Sequence, residues 1–96
     1  MKLIAEQPYV KVERQIANTG QYYVEDDRIL YLYSDRIVSR YHEFSIENVW
    51  DMSYRPVGQK GGLLYLHTSK GVNVYTVNKS PERFIEAFRE TIQNQR

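Results

Sequence analysis

The stretch GVNVYTVNKSPERFIEAFRETIQ, Gly71–Gln93, decides the fold, because the period of its apolar residues changes within it. Up to Val77 these residues recur at every second position, the repeat of an extended strand; from Ser80 onward they recur at helical spacing. Ser80 has the side chain of an N-cap, Pro81 suits the first helical position, and Glu82 complements the positive end of the helix dipole. Phe84, Ile85, Phe88 and Ile92 then make one apolar stripe, with Glu86, Arg89, Glu90 and Gln93 on the opposite side. A helix this short is marginal on its own, so the stripe has to pack against the strands that precede it.

Upstream, the strand period holds back to Pro8. Pro8 to Ile16 places Val10, Val12 and Ile16 on one face and Lys11, Glu13 and Gln15 on the other, and Asn18-Thr19-Gly20 supplies a turn. Gln21 to Glu25 and Arg28 to Tyr33 flank Asp26-Asp27, which reads as a tight turn. The short polar link Ser34-Asp35 leads to a run from Arg36 to His42, so the first four runs form an antiparallel meander. Phe44 to Asn48 is a corner. Val49 to Arg55 alternates Trp50, Met52 and Tyr54 against Asp51, Ser53 and Arg55, and one of these faces belongs to a core. Pro56 to Gly62 is the longest loop, and Leu63 to Thr68, apolar on both faces at its start, reads as a central strand before the turn Ser69-Lys70-Gly71. The expectation is a mainly β fold with seven antiparallel strands and one closing C-terminal helix, in a single domain over residues 1–96.

Composition excludes more than it identifies. Thirteen Lys and Arg against 12 Asp and Glu leave no surplus of charge to draw the chain to nucleic acid, anionic lipid or an acidic substrate. Zero cysteines remove disulfides, thiolate metal sites and thiol nucleophiles. The run Met1-Lys2-Leu3-Ile4-Ala5-Glu6 meets charge before it can build the apolar core of a signal peptide, and no later stretch reaches membrane-spanning length. A cytoplasmic chain without membrane insertion is expected.

With the elements in this order, the chain resembles a pleckstrin-homology-like (PH-like) domain in its compact bacterial form. The resemblance spans roughly Pro8 to Gln93, with local echoes in Asp35-Arg36-Ile37-Val38, in the corner Phe44-Ser45-Ile46-Glu47-Asn48-Val49 and in Ser80-Pro81-Glu82-Arg83-Phe84-Ile85. It implies seven strands in two near-orthogonal sheets forming a barrel, with the helix closing one end, and a binding scaffold rather than an enzyme. In relatives that hold phosphoinositides, a long basic loop between the first two strands grips the phosphates. Here that loop is Ala17-Asn18-Thr19-Gly20, without a positive charge.

Three function classes follow from the residues. Contact with a protein or peptide, or with a second copy of the chain, is the leading one: Tyr22, Tyr23, Tyr31, Tyr33, Arg40 and Tyr41 gather in the first four runs, and Tyr and Arg are the side chains that anchor interfaces. Edge strands add unpaired backbone groups that can accept a strand. The alternative is a small-ligand or anion site formed by Arg14, Arg36 and Lys70. Stacking of single-stranded nucleic acid on some of the nine tyrosines ranks below both, because no basic groove accompanies them and Lys70-Gly71-Val72-Asn73-Val74-Tyr75 departs from an RNA-recognition strand where its aromatics belong. Catalysis is not expected. His42 and His67 sit in no metal-binding repeat, adjacent His42 and Glu43 point to opposite faces, no serine lies in a nucleophile elbow, and Gly58-Gln59-Lys60-Gly61-Gly62 is no phosphate-cradling loop. No metal and no cofactor are expected.

Overall fold

Fourteen core side chains and a single helix organise the chain, seen here in a computed structural model that describes residues 2–18, 20–59 and 61–95. The strands are β1 (Leu3–Ala17), β2 (Gly20–Tyr33), β3 (Arg36–Val38), β4 (Glu43–Ser45), β5 (Val49–Pro56), β6 (Gly62–Thr68) and β7 (Gly71–Val77), followed by the helix α1 (Glu82–Gln95). All pairings are antiparallel, in one sheet of order β4-β3-β2-β1-β7-β6-β5.

The expected closed barrel of two sheets is corrected to one open sheet. The ladder ends at β4 on one side and at β5 on the other, and among the described residues its two halves meet in a single rung, Val10 opposite Thr76. Beyond that rung β1 leaves β7 and continues with β2 as a two-stranded ribbon, so no further ladder forms there.

Directly paired residues share a face, which sorts the sheet. The inner face carries Tyr9, Leu30, Leu32, Met52, Leu64, Leu66, Tyr75 and Val77, and α1 lays Phe84, Ile85 and Phe88 onto them. Each of the largest of these side chains contributes about 1.5–3 kcal/mol by leaving water. The helix start forms as its residues require: the Ser80 hydroxyl accepts from the Glu82 N–H at 3.4 Å, and the Ile85 N–H donates to the Pro81 carbonyl at 2.9 Å. Arg89 fastens the helix to β5, donating to the Met52 carbonyl at 3.2 Å and to Asp51 at 3.4 Å. Buried Gln7 donates to the Lys79 carbonyl at 3.2 Å, tying β1 to the segment that enters the helix.

Four elements differ from their sequence reading. The segment read as a corner, Phe44 to Asn48, starts inside the strand β4, whose Phe44 pairs with Ile37, and only Ile46–Asn48 makes the corner, as one helical turn. The other three differ for local reasons. Asp26-Asp27 is no turn: β2 runs unbroken through it, because Asp26 faces Lys11 across the ladder and accepts from Arg28 at 2.8 Å. The run Arg36 to His42 stops at Val38. There Ser39 makes a tight loop, its N–H donating to the His42 carbonyl at 2.8 Å and its hydroxyl accepting from the His42 N–H at 3.2 Å. Trp50 is thrown outward by an irregularity in the ladder between Val49 and Asp51, and Val49 fills the core in its place. β6 does lie centrally between β5 and β7, with Leu64 and Leu66 buried and its other face half-covered. Thr19 in the first turn and Lys60 in the long loop lie outside the described residues.

Candidate functional site

The same alternation that builds the core leaves the far end of the first hairpin bare. From Lys11 opposite Asp26 to Ala17 opposite Gly20, β1 and β2 pair only with each other. This arm is seven residue pairs long, a reach of about 23 Å at the strand rise. It gives the molecule a long axis of 54 Å against 28 and 25 Å across. Val12, Ile16 and Tyr23 occupy the outer face of the arm, while Tyr22 and Val24 continue the inner face past the end of the core. All five are exposed, Ile16 and Tyr23 by more than 70%. An isolated two-stranded ribbon is marginal in water, and apolar side chains on both of its faces call for a cover that this chain does not supply to itself.

At the base of the arm, Arg28 donates to Asp26 and pairs with Glu13 at 3.6 Å, while its guanidinium lies 5.1 Å from the centre of the Tyr41 ring. The hydrogen bond to Asp26 and that carboxylate's charge hold Arg28 above its ordinary pKa, against a smaller lowering by desolvation. Arg40 stacks on the other approach to Tyr41, 5.6 Å from its centroid, and donates to its hydroxyl at 3.3 Å. Tyr9 receives the Arg40 N–H at 3.2 Å and meets Tyr75 edge to face at 4.9 Å. Burial pushes the Tyr75 phenol up, partly offset by its bond with Ser39.

Of these groups Tyr9, Glu13, Arg28, Ser39, Tyr41 and Tyr75 line a cleft of about 430 Å³ that opens where β1 parts from β7. Val12 and Val74 line its outer side, and Tyr9, Tyr75, Ser39, Tyr41 and His42 its inner side. Two strand edges flank it. One is the arm's β1 edge from Lys11 to Ala17; the other is β7 from Gly71 to Tyr75, which pairs on its far side with β6.

The tyrosine group predicted from the sequence is divided between two places. Tyr22 and Tyr23 lie near the arm tip, and Arg40 and Tyr41 at the β3–β4 loop beside the arm base. Tyr31 and Tyr33 are half-buried on the body, eight and ten residues along β2 from Tyr23, about 26 and 33 Å at the strand rise. Arg14, Arg36 and Lys70 are not brought together. Arg14 stands opposite Tyr23 on the arm, and Arg36 opposite Ser45 on the body. Lys70 is at the β6–β7 turn, which Thr68 fixes by donating to the Gly71 carbonyl. Arg36 is already held by Asp35 at 3.2 Å and Glu43 at 2.8 Å, contacts that raise its pKa.

Sequence reading missed one pairing of reactive side chains: Ser53 Oγ lies 2.8 Å from His67 Nε2 across β5 and β6. The cross-strand register could have found it once the two strands were aligned. Ser53 stands opposite Tyr65 and reaches His67 diagonally; Asp51, directly opposite His67, has its carboxylate drawn to Arg89, and the Ser53–His67 pair lies outside the cleft. Among the described residues no group of three or more His, Asp or Glu side chains is placed to hold a metal ion, and every buried side-chain polar atom has a partner. No helix among them is long and apolar enough to cross a membrane. Compared with protein families, curated proteins and solved structures, the chain matches none.

Proposed function

We propose that this chain is a non-enzymatic binding module of PH-like descent that acts by contact with a protein, using the β1–β2 arm and the tyrosine-lined base from which it springs. One observation carries the reading: Val12, Ile16, Tyr22, Tyr23 and Val24 are exposed on both faces of a ribbon that has no core of its own. Such a ribbon gains order by burying those side chains against another surface, and tyrosine supplies large contact area at small loss of conformational freedom. The strand order β4-β3-β2-β1-β7-β6-β5 with a helix after β7 is compatible with the PH-like scaffold, from which the open sheet and the long arm depart.

The test is photo-crosslinking in the native cell, with a benzophenone amino acid replacing Tyr23 on the arm or Glu86 on the exposed side of α1. Protein adducts are expected from position 23 and not from position 86. Equal yields at the two positions, or none at position 23, overturn the proposal.

A further inference from the structure

Resting on that reading of the arm, we infer that its partner is a second copy of this chain, and that two copies exchange arms. The β1 edge of each arm, Lys11–Gln15, joins the free edge of β7, Gly71–Tyr75, in the other copy.

The register already present argues for this pairing. Among the described residues, Val10 opposite Thr76 is the only rung between β1 and β7. Continued antiparallel, the same ladder sets Val12 opposite Val74 and Arg14 opposite Val72 on the outer face, with Lys11 opposite Tyr75 and Glu13 opposite Asn73 on the inner. Nothing in that set clashes: the β7 segment carries no charge, so neither Lys11, Glu13 nor Arg14 meets a like charge, and the arginine stem can lie over a valine. Within one chain the arm turns away from β7 and these rungs are not made.

A second copy brings both halves of the match. In a two-fold exchange each copy gives an arm and receives one, so every rung forms twice and the assembly closes at two. Each arm is then no longer a bare ribbon, since it extends the partner's β7-β6-β5 sheet. Exposure points the same way: Val12 of the arm and Val72 and Val74 of β7, apolar side chains that the ladder brings side by side, are 46%, 56% and 52% exposed in a single copy.

The chain has no cysteine, which makes the register directly testable. Val12→Cys and Val74→Cys are prepared separately, one isotope-labelled, mixed at about 100 μM and oxidised, a concentration at which a micromolar or tighter interface is formed. Opposed positions in a ladder lie within disulfide reach. The expected product is a mixed dimer linking positions 12 and 74, absent when Glu86→Cys replaces Val74→Cys. Light scattering of the unmodified chain is expected to give twice its 11.5 kDa mass. Val74→Lys should weaken the dimer by about 30-fold or more while leaving its circular dichroism unchanged.

A single-copy mass across the concentration series, or a dimer without the 12–74 link, overturns the exchange. If position 23 still captures proteins of other mass in that case, the arm remains a binding surface and only the identity of its partner fails. If position 23 captures nothing, both readings fall.

Discussion

The two ends of the β1–β2 hairpin are built from the same alternating sequence and meet opposite fates. At one end, Leu30 and Leu32 are fully buried in the core cluster that Phe84 and Phe88 of α1 also join. At the other, Tyr22 and Val24, on the same face of the same strand, are 51% and 40% exposed because neither helix nor second layer reaches them. Alternation therefore specifies which side chains share a face. Whether that face is core depends on what covers it, and in a chain with one helix the cover runs out at about Arg28.

That contrast can be broken by substitution. Phe88→Ala in the body removes a fully buried ring from the centre of the core, with an expected loss of about 3–5 kcal/mol in denaturant unfolding. That is much of the stability a domain of this size has. Tyr23→Ala on the arm, measured in the same way under conditions where the chain is monomeric, is expected to stay within about 0.5 kcal/mol of the unsubstituted chain. Comparable losses at the two positions would mean the arm has a core after all.

A smaller effect sharpens where the body ends. Gly61 has φ +78°, and a Cβ added there would stand 2.1 Å from the Val77 carbonyl oxygen. Gly61→Ala is expected to lower stability by about 1–3 kcal/mol from the backbone conformation alone, with the clash adding to it. The same substitution at Gly58, also at positive φ but with open space around it, should show only the conformational part.

The smallest effect is one of pH. Burial holds the Tyr75 phenol neutral above its ordinary value of 10.0. The folded chain thus keeps a proton that the unfolded chain gives up, and stability declines as pH rises beyond about 10. Tyr75→Phe should flatten that alkaline decline in melts taken from pH 9 to 11; an unchanged decline in the variant would remove Tyr75 as its source.

Much of the body was legible in the sequence, since its signals are local. Ser80, Pro81 and the stripe Phe84, Ile85, Phe88 place the helix; the alternations at Leu63–Thr68 and Val72–Val77 place β6 and β7. The count of seven strands came through two opposite errors. Asp26-Asp27 imitates a turn but is carried along one unbroken strand, while β4 forms at Glu43–Ser45, just after the Ser39 loop, where the residues read as a corner. Openness of the sheet was not legible, because one rung between strands more than sixty residues apart leaves no periodic trace. Of the candidate site, the exposure of Tyr22, Tyr23 and Tyr41 agrees with their reading as surface aromatics, but the separation of Tyr31 and Tyr33 from them required the length of β2. The cleft beside Val12 and Val74 depends wholly on where two strands part.

The lone rung at Val10 and Thr76 also bears on how the molecule comes together. Each half of the sheet joins neighbours along the chain through short links, so both can assemble early by local encounters. Joining them at that rung closes a loop of more than sixty residues, an entropic cost that one backbone pair does not offset. The C-terminal helix supplies what the rung lacks, because Phe84, Ile85 and Phe88 pack in one cluster with side chains of both halves.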